Sequence, residues 1–318
     1  MFGARLLGKG SFGTVTEDID RDTDQPIAIK TLGKNYSSCT EVELLNMLRD
    51  FDPSHTGYNH IVHARDTSIY DDRVIIIMDK MDGTLLELLQ DYPEGMPTHM
   101  IKTILKQVCY GLSYIHYAGL VHCDIKLENI LFRCDGEDEY HIAISDFGNA
   151  LTLQEASDLR GWVIQNNSYR CFENVVGSHR ASTASDLSSM ASMAYELASG
   201  RYFQFEEDPM EHALQIMECV GKHKMCGLQG DKAVMTAIKE LIPKVKSQHG
   251  ILYELIQDRS LISLIQTWMH PCAGRRGTAM SALQHEFLAD NVMCDSDESL
   301  ISIEDIEQDA LISGMIQV

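Results

Sequence analysis

The spacing of apolar residues changes along this 318-residue chain. Before about residue 81, apolar residues occur in short runs bounded by turn-forming residues, a pattern that predicts strands. One short helix, about Cys39 to Leu48, is predicted among them, because Leu44, Leu45 and Leu48 lie three, four and seven residues after Glu41. The predicted strands contain Leu6-Leu7, Thr14-Val15-Thr16, Pro26-Ile27-Ala28-Ile29-Lys30 and Arg73-Val74-Ile75-Ile76-Ile77-Met78.

From about residue 84 onward, apolar residues recur at helical spacing. They predict a helix from Met100 to Tyr117 and another from Asp186 to Ser199, with Gly200 ending the second. Further helices are predicted over 210–219, 231–245, 251–268 and 278–289. A strand-rich first part and a helix-rich second part indicate an α+β fold of two lobes with a cleft between them.

Composition places the chain among globular proteins of the cell interior. The hydrophobic content of 44% is ordinary, and no apolar run approaches the roughly 18 residues of a membrane-spanning helix. The nine cysteines are scattered without a C-x-x-C pair, which disfavours a disulfide framework and a zinc site. We therefore expect an intracellular, cytoplasmic and/or nuclear protein that does not bind a membrane.

The charge of the chain is strongly negative and unevenly distributed. A net charge of −21 disfavours nucleic-acid binding. No Lys or Arg follows Arg276, whereas nine acidic residues lie between Glu286 and Asp309. Residues 289–318 are therefore predicted to form an acidic tail.

Four short motifs with chemical significance follow one another along the chain. A glycine cluster comes first, and its bare backbone could approach phosphate groups without obstruction from side chains. A dinucleotide-binding fold would place a helix directly after the glycines, but Thr14-Val15-Thr16 predicts a strand there. The four motifs are Gly8-x-Gly10-x-x-Gly13-x-Val15, Ile27-Ala28-Ile29-Lys30, His122-Cys123-Asp124-Ile125-Lys126-Leu127-Glu128-Asn129 and Asp146-Phe147-Gly148.

In this order and at these spacings, the motifs resemble a eukaryotic protein kinase. The resemblance implies a bilobal protein-kinase fold, with a small β-rich N-lobe that contains one key helix and a larger, mainly helical C-lobe. It covers residues 3–288, with the N-lobe at about 3–81 and the C-lobe at about 84–288. It also implies ATP as phosphoryl donor, Mg²⁺ as cofactor and protein hydroxyls as acceptors, and we expect a monomer.

The same resemblance assigns a nucleotide site to the N-lobe and the hinge. Lys30 would hold the α- and β-phosphates, and Glu41 would orient it through an ion pair, with Glu43 as the rival carboxylate. Met78 would be the gatekeeper beside the adenine. The remaining residues implied for ATP are Gly8, Lys9, Gly10, Ser11, Gly13, Val15, Ala28, Asp79 and Met81.

The chemistry is implied for the residues around Asp124. This aspartate would accept the proton of the substrate hydroxyl or orient that hydroxyl for attack. Lys126 would neutralise charge on the transferred phosphoryl group, and a lysine at this position is typical of Ser/Thr kinases. Asn129 and Asp146 would bind Mg²⁺.

The activation segment, from Asp146 to Glu173, resembles the CMGC group of kinases. Its end, Gln165-Asn166-Asn167-Ser168-Tyr169-Arg170, is most similar to the homeodomain-interacting and dual-specificity tyrosine-regulated kinases. The resemblance pairs Glu173 with a buried Arg276, and it makes Asp186 the residue that braces the loop around Asp124.

Three departures from those subfamilies affect the predicted regulation. Val163 stands where they carry an autophosphorylated tyrosine, and Asn167 replaces the arginine that favours proline after the target residue. Cys123 replaces the arginine that usually precedes the catalytic aspartate, so a phosphate on the segment would lack a main partner. We therefore predict a kinase that does not depend on phosphorylation of its activation segment.

Two alternatives remain at this point. The altered Cys123, Cys171-Phe172 and Ser188 positions are compatible with a pseudokinase scaffold. A small-molecule phosphotransferase can share the Asp–Asn–Asp core, but Glu173, Asp186 and Arg276 are the residues that would serve a protein-substrate segment.

Overall fold

The computed structural model describes residues 5–9, 13–136, 139–159, 164–178, 180–225, 228, 230–254 and 256–290. Three residues of the sequence argument, Gly10, Ser11 and Val163, lie outside the described residues, as does the acidic tail from residue 291 onward.

The N-terminal part is built on a five-stranded antiparallel sheet. Its spatial order is β1-β2-β3-β5-β4, so the last two strands lie in reverse order. The fourth strand was not predicted, because it carries few apolar residues. The strands are β1 (Arg5–Lys9), β2 (Gly13–Ile19), β3 (Pro26–Gly33), β4 (Ala64–Ile69) and β5 (Arg73–Asp79).

Strand register brings the predicted nucleotide-site residues to one face of this sheet. Val15 lies opposite Lys30, and Ala28 lies opposite Met78. Residues directly opposite each other in antiparallel strands point to the same face, and so do alternate residues of one strand. The four side chains therefore share a face.

One helix, α1 (Tyr36–Phe51), packs on the sheet. It is longer than the predicted span from Cys39 to Leu48, because Asn35 begins it with a capping box in which Ser38 is the reciprocal partner. Leu48 is fully buried, and Glu41 is only 3% exposed on the same side. A buried carboxylate on this helix requires a partner.

The second part of the chain is mainly helical. Its central helix, α6 (Thr183–Ser199), is buried at every residue from Thr183 to Leu197 and ends at Gly200 in the left-handed region, at φ 65°. The other helices are α2 (Leu85–Leu89), α3 (Thr98–Tyr117), α4 (Leu153–Ala156), α5 (Phe172–Val175), α7 (Pro209–Val220), α8 (Lys232–Leu241), α9 (Arg259–Trp268) and α10 (Ala279–Ala282).

Five short strands complete this part and lie next to the predicted chemistry. A three-stranded sheet has the order β6-β8-β9, and β7 pairs with β10. The loop that carries Asp124 lies between β7 and β8, and Asp146 follows β9. The strands are β6 (Gly83–Thr84), β7 (Leu120–Val121), β8 (Ile130–Gly136), β9 (Glu139–Ile144) and β10 (Leu151–Thr152).

Three of the helices predicted near the end of the chain are wrong in extent. The span 251–268 is broken, because Asp258 accepts hydrogen bonds from the backbone of Ser260 and Leu261 and so starts α9 afresh. The span 231–245 ends as an α-helix at Leu241, next to Pro243. Only four residues of 278–289 form the helix α10.

The predicted α+β class and its two lobes are confirmed by this arrangement. A five-stranded sheet with one helix forms the N-terminal lobe, and the helices around α6 form the C-terminal lobe. Over the described residues, every helix is too short or too polar to cross a bilayer.

Candidate active site

Two glycines of the first motif differ in what surrounds them. A Cβ built on Gly13 would lie 2.0 Å from the backbone oxygen of Thr31, so the pairing of β2 with β3 itself requires a glycine there. A Cβ on Gly8 would meet nothing within 4 Å. Packing therefore accounts for Gly13, whereas the bare backbone at Gly8 is open to a ligand. Lys9 is exposed between Gly8 and the part of the motif outside the described residues.

The ammonium of Lys30 lies between two carboxylates. Its Nζ is 2.6 Å from Glu41 Oε1 and 2.8 Å from Asp146 Oδ1. The rival carboxylate, Glu43, is exposed. The 11-residue separation of Lys30 and Glu41 suffices because β3 ends at Gly33 and α1 begins at Tyr36.

Burial and charge act in opposite directions on this cluster. Burial alone would lower the pKa of Lys30, but Glu41 and Asp146 outweigh it, and the net pKa is raised. Burial would raise the pKa of Asp146, but the attraction to Lys30 outweighs it, and the net pKa is lowered. Lys30 is thus a cation and Asp146 an anion at neutral pH.

The loop of residues 122–129, here called the catalytic loop, centres on the buried Asp124. Its Oδ2 accepts hydrogen bonds from Lys126 Nζ at 2.9 Å, Asn129 Nδ2 at 3.0 Å and Asn149 Nδ2 at 3.2 Å. Burial would lower the pKa of Lys126, but Asp124 outweighs this effect and the net pKa is raised. The first two donors were predicted site residues, whereas Asn149 was not.

The two candidate metal ligands, Asn129 and Asp146, are linked through Ser145. Ser145 donates to the carbonyl of Asn129 from both its backbone N, at 2.8 Å, and its Oγ, at 2.9 Å. Asp146 follows directly. Asn129 uses Nδ2 for its bonds to Asp124, which leaves its amide oxygen as the atom available to a cation.

Asp146, Phe147 and Gly148 are held by the elements around them. Asp146 adopts a left-handed backbone at φ 65°, which is uncommon for a residue other than glycine. Phe147 is 1% exposed and lies edge-on to His122, at 5.2 Å between ring centroids. Ser37 Oγ donates to the carbonyl of Gly148 at 2.7 Å, which links α1 to this motif.

The predicted hinge residues have different environments. Met78 is half-buried in β5 and packs against the main hydrophobic core. The Asp79 carboxylate is exposed and forms an ion pair with Arg65, so only its backbone is available for adenine. Met81 is half-buried after the strand ends.

Asp186 connects the catalytic loop to the central helix. Its Oδ1 accepts from the backbone N of Cys123 and its Oδ2 from the backbone N of His122, each at 2.9 Å. The same Oδ2 lies 2.9 Å from His116 Nε2. His116 was not predicted, since a histidine at the end of an apolar helix carries no distinguishing pattern.

Glu173 and Arg276 form a buried bidentate ion pair. The distances are 2.9 Å from Arg276 Nη1 to Glu173 Oε1 and 2.6 Å from Nη2 to Oε2. Burial would raise the pKa of Glu173, but the guanidinium outweighs it, and the net pKa is lowered. The end of the activation segment is therefore fixed to the C-terminal lobe by a fully desolvated contact.

Known proteins share this sequence pattern. The family model described as "Protein kinase domain" matches residues 3–288. The chain is 30% identical over 213 residues to the serine/threonine-protein kinase dkf-2 of Caenorhabditis briggsae. This match covers 65% of this chain and 17% of that protein. The chain is also 31% identical over 201 residues to the dual specificity protein kinase YAK1 homolog of Arabidopsis thaliana. This match covers 61% of this chain and 20% of that protein.

A solved structure of a kinase domain has the same fold. The match has a TM-score of 0.69 at 21% identity and covers 90% of this chain and 94% of that chain. This chain spans about a fifth of the length of the two curated relatives. Because the family model extends over both lobes, the chain belongs to the protein kinase domain family, as its motifs predicted.

Proposed function

We propose that the chain transfers the γ-phosphoryl group of Mg-ATP to serine and threonine hydroxyls of proteins. The observation that carries the proposal is the pair of hydrogen bonds from Ser145 to the Asn129 carbonyl, because they join the Asp124 loop to the Asp146–Lys30–Glu41 cluster. Phosphoryl transfer depends mainly on positioning and charge neutralisation, and these two groups of side chains supply both.

Each side chain would act through its charge and position. Lys30, oriented by Glu41, would hold the non-transferred phosphates. Asp124 would take or orient the proton of the acceptor hydroxyl, and Lys126 would offset the charge on the phosphoryl group.

The residues present fit a magnesium ion. Mg²⁺ binds through oxygen atoms and is usually held by few protein ligands together with substrate phosphates. Asn129 and Asp146 would hold it with an amide oxygen and a carboxylate. When bound, the ion supplies charge neutralisation at the phosphates. Among the described residues no group of three or more His, Cys, Asp or Glu offers a metal site by itself, so phosphate oxygens would complete the shell.

The test is the Asp146→Asn variant, with Asp71→Asn as the matched control at an exposed position. We expect Asp146→Asn to lower phosphate transfer to a generic basic protein by at least about 100-fold, the usual scale for losing a charge-stabilising group. Asp71→Asn should keep wild-type transfer. Wild-type turnover in Asp146→Asn would contradict the site assignment.

We also propose that activity does not depend on phosphorylation of the activation segment. An apolar cluster takes the place of a phosphate contact: the fully buried Cys123 packs with Ala156, Leu159 and Ala181. The cluster joins the catalytic loop to the middle of the segment, at Ala156 and Leu159, and to Ala181 beyond its end. A neutral contact of this kind needs no added charge to hold the segment in place.

The buried amide of Gln165 gives further support. Its Nε2 donates to the carbonyl of Ser185 at 3.0 Å and to Ser189 Oγ at 2.8 Å, and its Oε1 accepts from the backbone N of Cys171 at 3.1 Å. Gln165 therefore binds the segment to the central helix α6. Its own backbone is left-handed, at φ 63°. The sequence alone did not single out these contacts.

Phosphatase treatment of the purified protein tests this second proposal. We expect unchanged transfer after treatment, with a kinase that requires a segment phosphate as the positive control. Loss of activity that returns on renewed phosphorylation would contradict independence from phosphorylation.

The alternative is a pseudokinase scaffold, with which the altered Cys123, Cys171-Phe172 and Ser188 positions are compatible. A thermal shift with Mg-ATP, followed by a radiolabelled transfer assay, separates the two functions. Stabilisation by the nucleotide without transfer would indicate the scaffold.

The setting of the activity is part of the same proposal. The substrates would be proteins, the protein would act as a monomer without nucleic acid or membrane, and its location would be cytoplasmic or nuclear. Residues 3–288 would form the catalytic domain, followed by the acidic tail 289–318.

A further inference from the structure

One oxygen of Asp124 has three hydrogen-bond donors, and one of them comes from outside the catalytic loop. Lys126 and Asn129 belong to the loop itself. Asn149 belongs to the short 3₁₀ turn Phe147–Asn149, which begins directly after Asp146. Its Nδ2 lies 3.2 Å from Asp124 Oδ2.

All three donors converge on Oδ2. Among the described residues, no side-chain donor is bound to Oδ1 of Asp124. A carboxylate held through one oxygen presents the other in a fixed direction. Oδ1 is therefore the oxygen that remains for an acceptor hydroxyl.

The origin of Asn149 gives this contact a second consequence. Asn149 is the last residue of the turn that starts at Phe147, directly after Asp146, and Asp146 in turn contacts Lys30. The amide thus connects the carboxylate proposed to meet the acceptor with the segment proposed to meet the donor phosphates. Asn149 is exposed, so its side chain is not needed to fill the core.

We infer that Asn149 is a positioning residue for phosphoryl transfer, which fixes the Asp124 carboxylate so that Oδ1 faces the acceptor hydroxyl. The inference rests on the proposed function. Asn149 acts through Asp124, and neither ATP nor the rest of the substrate needs to contact it.

Two nearly isosteric variants test the inference in steady-state kinetics. Asn149→Leu keeps the shape and removes the donor, and Asn149→Asp also adds a repelling charge. We expect kcat to fall about tenfold in Asn149→Leu, the scale of a hydrogen bond to a charged group, and further in Asn149→Asp. The KM for ATP and the melting temperature should stay at wild-type values, and Asn149→Gln, which retains the amide, should recover part of kcat.

The matched control is Asn59→Leu, at an exposed position of the 3₁₀ turn Tyr58–His60, which should leave all parameters unchanged. Wild-type kcat in both Asn149→Leu and Asn149→Asp would overturn the inference. So would a raised KM for the protein substrate with unchanged kcat, because it would make Asn149 a substrate contact instead.

A measurement without turnover separates this inference from the proposed function. Crystal structures of the wild type and Asn149→Leu should show the Asp124 carboxylate rotated or less ordered in the variant. An unchanged carboxylate would overturn the role of Asn149, whether or not the wild type transfers phosphate. An inactive wild type would count against the proposed function alone.

Discussion

The Glu41 carboxylate lies 2.6 Å from the Lys30 ammonium although only 11 residues separate them. Strand β3 delivers Lys30 to the cleft face, and α1 turns Glu41 back toward it. Since Asp146 contacts the same ammonium at 2.8 Å, one cation links the sheet, the helix and the segment after β9.

Lys30→Met should therefore remove more than one contact. We expect kcat/KM to fall about 100-fold or more, because the cation proposed to hold the phosphates is lost. Glu41→Gln, which keeps a hydrogen-bonding group beside Lys30, should lose less. Lys34→Met, at an exposed position shortly after β3, is the control and should match the wild type in the same transfer assay. Unchanged kcat/KM in Lys30→Met would show that Lys30 has no role in transfer.

The first and last glycines of the glycine motif, Gly8 and Gly13, should respond differently to substitution by alanine. Gly13→Ala places a Cβ 2.0 Å from the Thr31 oxygen and should lower the free energy of unfolding by about 1 to 3 kcal/mol. Gly8→Ala has open space, so its stability should be unchanged while its KM for ATP rises. Gly33→Ala, also in open space but at the far end of β3, is the control for both measurements.

Urea unfolding and steady-state kinetics check this pair of predictions. An unchanged KM for ATP in Gly8→Ala would mean that the backbone there does not approach the nucleotide. Wild-type stability in Gly13→Ala would mean that β2 and β3 accommodate the added Cβ without a loss in the free energy of unfolding.

Arg276→Met should destabilise the fold strongly, because it leaves the Glu173 carboxylate buried without its cation. We expect a loss of about 3 to 5 kcal/mol in the free energy of unfolding, measured by urea denaturation. The double variant Glu173→Gln/Arg276→Met should regain part of it. Arg21→Met, on the exposed turn between β2 and β3, should lie within about 0.5 kcal/mol of the wild type. A similarly small loss in Arg276→Met would contradict the importance of the buried pair.

Stability should depend on pH through Glu196. Burial raises the pKa of Glu196 from 4.5 to about 7, although the Tyr169 hydroxyl, 2.5 Å away, and the backbone N of Phe203 both donate to it. Between these two pKa values the folded chain holds a proton that the unfolded chain releases. Glu196 therefore favours the folded state below about pH 4.5, and this contribution is lost as the pH rises through about 7.

Glu196→Gln should remove that dependence, since an amide can accept from Phe203 and donate to Tyr169 at every pH. From pH 5 to 8, the wild type should lose up to about 2 to 3 kcal/mol of stability relative to the variant. Glu207→Gln, which is exposed, should follow the wild type. Parallel pH profiles for wild type and Glu196→Gln would contradict the raised pKa.

The sequence predicted those strands and helices whose characteristic residues lie close together along the chain. The four apolar runs became β1, β2, β3 and β5, and α3 and α6 lie where helical spacing placed them. Strand β4 was missed because its central residues, Arg65 to Ser68, are polar, and pairing with β5 rather than apolar pattern holds it in the sheet.

Contacts between distant residues explain what sequence could not supply. Asn149 reaches Asp124 across 25 positions, and His116 reaches Asp186 across 70. Neither residue belongs to a periodic pattern, and each is a common polar residue at its position. Only the folded chain shows which oxygen of Asp124 receives the three donors.

The bonds from Asp186 to the catalytic loop change how loss of activity in this protein should be interpreted. A side chain rooted in the most buried helix determines where the backbone at His122 and Cys123 lies, and Asp124 follows from that position. A volume change in the interior of α6 would thus be transmitted to the Asp124 carboxylate without any contact with nucleotide. Distance from the cleft is therefore a poor guide for separating variants that impair folding from variants that impair turnover.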